Sequence, residues 1–521
     1  MLQGYIKRIL NAPVYDVASF TPLDPARVLS AQMGRHVLMK REDLQPVFSF
    51  KLRGAYTKIM ALSAEERLRG VITASAGNHA QGVALSAKKL GIRAVIVMPA
   101  TTPEIKVSAV QSHGAEVVLF GDAYPDALAH ALELTKLHGL SFVHPYDDPD
   151  VIAGQGTIGM EILRQYSGPI DAIFCPVGGG GLISGVAAYV KFLRPSVKII
   201  GVEPEDADCL YQALKTGERV KLPQVGIFAD GVAVAQVGEE NFRVARECVD
   251  RVIRVTTDEM CAAIKDVFTD TRAIAEPSGA LGVAGIRKYR MEQGEGQDHG
   301  ALIAVISGAN MNFERLRYVA ERTATGEKRE MLLSVQLPET PGSLLKFCEL
   351  VGRRAITEFN YRYFNPREAH IFVGVQMGNV AQEGGVFLET LERNGFPATD
   401  MTDNDLAKEH IRHMVGGHPP RLLDEALYSF EFPERPGALL RFLTALNPSW
   451  NISLFHYRNH GAAWGRVLMG LQVPVAERND LRQVIQNVGF IATDETVNPA
   501  YRVFLAGGCS DVEFVWSGCS G

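Results

Sequence analysis

The chain is poor in the features that would set it apart from ordinary globular proteins. Seven cysteines occur among 521 residues: Cys175, Cys209, Cys248, Cys261, Cys348, Cys509 and Cys519. Their number is odd and no C-x-x-C pair is present, so neither a disulfide framework nor a zinc ribbon is indicated, and they read as reduced thiols of a cytoplasmic protein. An excess of one charge is lacking too. The 59 acidic residues face 53 Lys and Arg, a net charge of −6, which argues against a general nucleic-acid-binding surface. The opening MLQGYIKRILNAPVYDVASF has no sustained apolar core before a small-residue cleavage site and does not read as a secretory signal; its single acidic residue excludes an organellar signal less cleanly. The longest uncharged stretch, residues 172–190, has the length of a membrane span. Its five glycines and one proline favour a buried strand, loop and helix instead.

What is present is a large apolar content, 46% hydrophobic against 21% charged, in a chain long enough for three or four domains at ~150 residues each. Over the first 320 residues, short apolar runs alternate with helical patterns. VITA at 71–74 precedes a helix from about Asn78 to Leu90, RAVIVMP at 93–99 one near Pro103, AEVVLF at 115–120 one from about Ala123, and DAIFCPV at 171–177 one near Leu182. VKIIGVEP, RVIRV and ALIAVIS continue the series to residue 307. Runs that are uniformly apolar rather than alternating suit parallel strands covered on both faces, and hence βαβ units. Two open α/β subdomains are expected, the smaller over about 50–145. Such folds bind ligands beyond the carboxyl ends of their strands, where SAGNH, VGGGG and SGAN fall.

Several residues there carry chemistry in one reading and structure in another. Lys51, in SFKLRGA, is either a lysine with its charge in water or one whose lowered pKa allows Schiff-base and proton chemistry. Gly178, Gly179, Gly180 and Gly181 are either a packing turn or a backbone cradle for phosphate at a helix N-terminus. SAGNHAQG at 75–82 is either a capped helix or a carboxylate and ring-hydroxyl site built on Ser75, Gly77 and Asn78. Neither the dinucleotide fingerprint, the P-loop nor a G-x-S-x-G elbow is present. No metal site is expected, and His79 reads as a supporting residue rather than a ligand.

After residue 320 the pattern changes to a repeat. LPETPG at 337–342 returns as FPERPG at 432–437, 95 residues on; ITEFNYRY at 356–363 returns as ISLFHYRN at 452–459, 96 residues on. Each copy, about 330–405 and 426–507, reads as βαββαβ, a ferredoxin-like plan with helices on one sheet face. HIRHMVGGHPPRLLDE at 410–425 reads as the linker, and 508–521 as a tail without assigned role. A regulatory module, an oligomerisation module and a duplicated enzyme all remain open at this point.

KREDLQPVFSFKLRGA at 40–55, SAGNHAQG, PVGGGGL at 176–182, FADGVAV at 228–234, AEPSGA at 275–280 and SGANMNFERLRYVAER at 307–322 together make the chain resemble the pyridoxal-5′-phosphate-dependent biosynthetic threonine dehydratases, through both repeats to about Gly507. The resemblance implies a fold-type II catalytic region over 1–320, followed by a duplicated ACT-like α+β regulatory region. It implies that Lys51 carries the cofactor as a Schiff base and moves protons, and that Phe50 lies against the ring. Asn78 would meet the ring hydroxyl, Ser307 the ring nitrogen, and Ser75 and Gly77 the substrate carboxylate. Gly178 to Gly181, with Leu182, would hold the phosphate. One departure stands out. Relatives with a divalent-cation site place a carboxylate six residues beyond a Glu-Pro glutamate; here EPEDADC puts Cys209 at that position relative to Glu203, with Asp208 one residue earlier, so a cation site at Glu203, Ala207 and Cys209 is not expected.

The implied reaction is the dehydration and deamination of L-threonine to 2-oxobutanoate and ammonia, the first step of isoleucine biosynthesis. L-serine would be a side substrate giving pyruvate, since one methyl discriminates by only ~1–3 kcal/mol. Also implied are a cytoplasmic homotetramer with no nucleic-acid or membrane partner, inhibition by isoleucine and opposition by valine. Phe359, Tyr361, Leu454 and Tyr457, in equivalent strands of the repeats, are candidate regulatory contacts or sheet core. The alternatives are a degradative dehydratase without isoleucine control, a cysteine-synthase-like β-replacement enzyme, and an amino-acid-binding regulator with a retired catalytic domain.

Overall fold

A computed structural model describes residues 2–226, 228–293, 300–313, 315–362, 367–404, 407–408, 412, 424–433, 438–447, 449–458, 464–488, 491–498 and 505. The chain divides into two compact units, Met1–Gly326 and Glu327–Gly521.

The first unit is built on two sheets. The larger has six strands in the order Leu23–Pro25, Val37–Arg41, Ala301–Ile306, Ile170–Pro176, Lys198–Pro204 and Arg251–Val255, all pairs parallel except the first. Its central strands are buried along their whole length. Alternate residues explain why. Ala301, Ile303 and Val305 enter one apolar cluster with Ile173 and Cys175, while Leu302, Ala304 and Ile306 enter another with Ala172 and Phe174. A strand with two buried faces has no polar side to show, and so reads as a continuous apolar run. The smaller sheet is wholly parallel, in the order Glu116–Leu119, Ala94–Met98, Val71–Ala74 and Ser141–Phe142.

The uncharged stretch at 172–190 resolves into the strand Ile170–Pro176, the glycine run and the helix Gly181–Leu193. Among the described residues no helix is long and apolar enough to cross a membrane. The five described cysteines are buried and form no disulfide among the described residues.

The second unit consists of two βαββαβ copies. The first runs Glu330–Pro338, Ser343–Val351, Ile356–Arg362, Glu368–Gln376, Val380–Arg393 and Ala398–Asp400. The second runs Glu425–Pro433, Ala438–Ala445, Asn451–Arg458, Trp464–Gln472, Arg478–Val488 and Ile491–Asp494. Their strands join into one eight-stranded antiparallel sheet, because Ile356–Arg362 pairs with Asn451–Arg458. Edge-to-edge pairing between the copies covers two edges that would otherwise offer unpaired backbone groups. Most of the linker at 410–425, the second Pro-Gly turn and the tail at 508–521 lie outside the described residues.

Candidate active site

Three helices of the first unit begin at the sequence motifs, and none of their N-termini receives a side-chain cap. They are Lys51–Ala61 after Phe50, Asn78–Leu90 after Gly77, and Gly181–Leu193 after Gly180. An uncapped N-terminus leaves backbone N–H groups and the positive end of the helix dipole for an anion. The first two are packed close together, and the loop at 145–146 reaches from the first to the third. A Cβ on Gly82 would lie 3.1 Å from the Leu52 nitrogen, and the Phe50 N–H donates to the Ser307 carbonyl at 3.2 Å. Within this largely buried region Phe50, Lys51, Ser75, Ala76, Gly77, Asn78, Gly178, Ala309 and Asn310 keep intermediate exposure at the motif ends, and they outline an opening.

Lys51 is aimed into that opening from the first turn of a helix that cannot shift easily. Gly54 packs against the helix Pro149–Gln165 so closely that a Cβ there would meet Gln155 Nε2 at 2.4 Å, and a Cβ on Gly154 would meet the Arg53 carbonyl at 2.5 Å. Arg53, fully buried, is held by Glu42 at 2.8 Å and Glu161 at 2.6 Å. Lys51 Nζ donates to the Pro145 carbonyl at 3.1 Å and lies 5.4 Å from the centre of the Phe50 ring. Crowding by uncharged groups pushes its pKa down to about 8, against the opposing charge of Glu276. A lysine in this state is a usable base near neutrality, which an ordinary surface lysine is not.

The glycine run is a cradle that only glycine fits. A Cβ on Gly179 would fall 2.1 Å from Tyr146 Cγ, one on Gly178 2.9 Å from Val232 Cα, and Gly180 has φ +95°. Leu182, buried, follows on the helix. The loop that lids the cradle is the one that receives Lys51. Tyr146 is positioned by Asn241 Nδ2, which donates to its carbonyl at 3.0 Å, and by the His144 Nδ1 acceptor, which takes the Tyr146 and Asp147 N–H groups.

Ser75 Oγ accepts from the Gly77 N–H at 3.3 Å, and buried Ser307 donates to the Ser278 carbonyl at 3.3 Å. Asn78 donates through Nδ2 to Glu276 Oε1 at 2.7 Å and accepts at Oδ1 from Asn310 at 2.7 Å. Glu276 and Asn310 carry no role in the sequence reading. Both lie inside motifs that carry the resemblance, AEPSGA and SGAN, but only the fold sets them beside Asn78. His79 is buried and neutral: Nε2 donates to the Val143 carbonyl at 2.9 Å, and burial with the nearby Lys51 charge pushes its pKa down to about 3. Glu203 spends both oxygens on the N-terminus of the helix Cys209–Thr216, accepting from the Leu210 and Tyr211 N–H groups at 2.9 and 2.8 Å.

The residues fit pyridoxal phosphate. The set contains an amine that can lose its proton, a glycine cradle on a helix N-terminus, and hydroxyl and amide groups at the neighbouring strand ends.

In the second unit the four candidate regulatory residues do not share one space. Phe359 is core, edge-on to Phe347 and Phe455. Leu454 belongs to the opposite face of the sheet, with Leu427. Tyr457 pairs across from Phe359 and packs on the same cluster. Tyr361 lines a cavity of about 120 Å³ at the seam between the copies, where its hydroxyl donates to Glu339 at 2.6 Å. Asn451 donates to the same oxygen at 3.1 Å, and Leu337, Leu344, Ile371 and Trp450 supply apolar wall. Burial raises the Glu339 carboxyl above its ordinary range, against the Tyr361 and Asn451 hydrogen bonds.

Comparison with known proteins agrees with this division. A family model described as pyridoxal-phosphate dependent enzyme matches residues 14–308. One described as C-terminal regulatory domain of threonine dehydratase matches twice, over 321–411 and 419–505. The biosynthetic L-threonine dehydratase of Burkholderia multivorans is 56% identical over 505 residues, 96% of this chain and 99% of that protein. That of Escherichia coli is 51% identical over 506 residues, 96% and 97%. The processed form of threonine deaminase isoform 2 from Solanum lycopersicum is similar in structure, with a TM-score of 0.61 and 51% identity over 62% of this chain and 88% of that one.

Proposed function

The chain belongs to the biosynthetic threonine dehydratases, pyridoxal-phosphate-dependent lyases with a duplicated C-terminal regulatory region, and from that membership we propose that it converts L-threonine to 2-oxobutanoate and ammonia, the first step of isoleucine biosynthesis. Pyridoxal phosphate supplies, when bound, a carbonyl for the substrate amine and an electron sink for the bond broken at the α-carbon. The protein does the rest. Gly178 to Gly181 and the helix behind them hold the phosphate, and Phe50, Asn78 and Ser307 orient the ring. Ser75 and the N–H groups at Gly77 and Asn78 hold the substrate carboxylate at a helix N-terminus. Lys51, unprotonated, takes the α-proton. The β-hydroxyl leaves as water, and the released enamine takes up water and sheds ammonia. L-serine enters the same path and gives pyruvate.

The observation that carries this reading is Lys51: a lysine in the first turn of an uncapped helix, its amine on the Pro145 carbonyl beside the loop that covers the glycine cradle, with burial pushing its pKa down to about 8. The test is the appearance of 2-oxobutanoate when the purified full chain meets threonine and the cofactor. Turnover by Lys51→Ala at a rate close to the parent's would overturn the assignment.

For the second unit, we infer that isoleucine inhibits and valine opposes it, through the cavity at the repeat seam. The supporting features are an apolar wall for a branched side chain and a carboxyl with an amide for the ammonium end, at Glu339 and Asn451. A cytoplasmic homotetramer completes the reading, supported by the family alone. Adding isoleucine to the threonine assay tests the regulatory part; unchanged turnover at saturating isoleucine would remove it.

A further inference from the structure

We propose that Glu276 is the positioning residue of this site: its carboxylate sets the amide of Asn78 and the hydroxyl of Ser278 in one orientation, and through them the face the protein shows to the bound ring. The inference deepens the reading above and rests on it.

The argument starts from what an amide leaves undetermined. The two ends of Asn78 have nearly the same shape, so its direction is decided by its partners. An ionised carboxylate only accepts, so Nδ2 turns toward Glu276, 2.7 Å away. Asn310 donates to Oδ1 at 2.7 Å and is itself anchored by donating to the Val47 carbonyl at 2.8 Å. Both ends of Asn78 are thereby specified, and its second N–H is left for the pocket. Ser278 donates to the same Glu276 oxygen at 2.9 Å, and its carbonyl receives the Ser307 hydroxyl at 3.3 Å. One carboxyl group therefore stands between the two side chains assigned to opposite ends of the ring, Asn78 and Ser307.

The backbone is shaped around this group. A Cβ on Gly308 would lie 2.6 Å from Glu276 Oε1, and the Glu276 N–H donates to the Gly308 carbonyl at 3.1 Å. A Cβ on Gly231 would strike Ser278 Oγ at 2.4 Å. The charged groups facing Glu276 are few. Lys51 faces it from the helix Lys51–Ala61. Asp230 faces it from the turn Asp230–Val232 and is paired with Lys106 at 2.7 Å and Arg315 at 3.7 Å. Burial, reinforced by Asp230, pushes the Glu276 carboxyl up to about 7, against the hydrogen bonds from Asn78 and Ser278. Below that pH the group carries a proton, can donate, and no longer dictates the direction of the Asn78 amide.

Glu276→Gln tests this, because it keeps an accepting oxygen and cannot ionise. In the holoenzyme, borohydride reduction and peptide mass should place the cofactor on Lys51 in parent and variant alike. The parent's kcat should fall on acidification through an inflection near 7. The variant should lose that inflection and turn over ~10-fold more slowly, with KM changed by less than ~3-fold. On a background of Asn78→Ala, adding Glu276→Gln should cost less than ~2-fold, since the two act as a unit. A second readout needs no cofactor. The folded chain holds this proton more tightly than the unfolded one, so the stability it contributes is complete below about 4.5 and is lost as pH rises through about 7. The thermal midpoint of the cofactor-free parent should therefore drop relative to Glu276→Gln across that range. Glu276→Asp, which keeps an ionisable group one methylene back, should lose rate and retain an inflection. An inflection and a midpoint slope that persist in Glu276→Gln, or losses that multiply with Asn78→Ala, would overturn the proposal. A parent with no cofactor fixed on Lys51 would instead remove the reading beneath it, and the proposal with it.

Discussion

The two units bury polar groups in opposite ways. In the first, parallel strands carry three motif helices that begin without side-chain caps, so that donors, a lysine and a carboxyl gather at one site. In the second, antiparallel strands close the sheet through a seam of aromatic rings, and its raised carboxyl, Glu339, is met by a phenol and an amide. Glu276 shares its pocket with a lysine of lowered pKa, so protons can move there. Glu339 receives only neutral donors among the hydrogen bonds described, so it can recognise a ligand but has no partner for proton transfer. Parallel topology gathers unused backbone donors at one edge, and duplication creates a seam; chemistry suits the first and binding the second.

The widest test of this contrast is Lys51→Ala. Turnover should fall by ~10³-fold or more, the scale of losing a positioned acid–base group. Thermal stability should hold, since the hydrogen bond lost to the Pro145 carbonyl is offset by no longer burying an amine. A comparable loss of turnover on altering Glu339 would break the division of labour. The next test is Gly179→Ala, whose methyl would overlap the Tyr146 ring. Overpacking on that scale costs ~1–3 kcal/mol. It should appear as a ~10- to 100-fold loss of cofactor affinity in equilibrium titration, with the second unit's response to isoleucine intact. Smaller still is Tyr361→Phe, which deletes a 2.6 Å hydrogen bond inside the seam cavity. The isoleucine concentration for half inhibition should rise by ~5- to 10-fold, the worth of one such bond, with uninhibited turnover unchanged.

Much of this was legible in the residues. The helix expected over Asn78 to Leu90 occupies those positions, and the uniformly apolar runs are strands with both faces covered. The repeat was visible from its spacing. What the spacing could not supply is which equivalent residues touch. Tyr361 and Tyr457 correspond by repeat, yet the antiparallel seam sets Tyr361 against Phe455 and Tyr457 against Phe359. Leu454 and Tyr457 are three residues apart, an odd number, so a strand must turn them to opposite faces; that parity was available and separates them. Glu276 was out of reach for another reason. It lies 198 residues from Asn78, and no local pattern in AEPSGA distinguishes a carboxyl held in an active site from one that caps the helix it precedes.

Glycine gives the finest comparison between the units. Gly179 is required for space: its methyl has nowhere to go. Gly342, before the helix Ser343–Val351 and on the wall of the seam cavity, has φ +87° and nothing within 4 Å of an added Cβ. Only its left-handed backbone needs glycine, and an L-residue there costs ~1–2 kcal/mol. Gly342→Ala should therefore lower the stability of the second unit by about 1 kcal/mol in denaturant unfolding, while cofactor affinity and turnover stay at parent values. If the variant kept parental stability and still lost its isoleucine response, Gly342 would be serving ligand access rather than backbone conformation. The two glycines would then be conserving the same thing, room at a binding site, and the distinction between the units would have to rest on Lys51 and Glu276 alone.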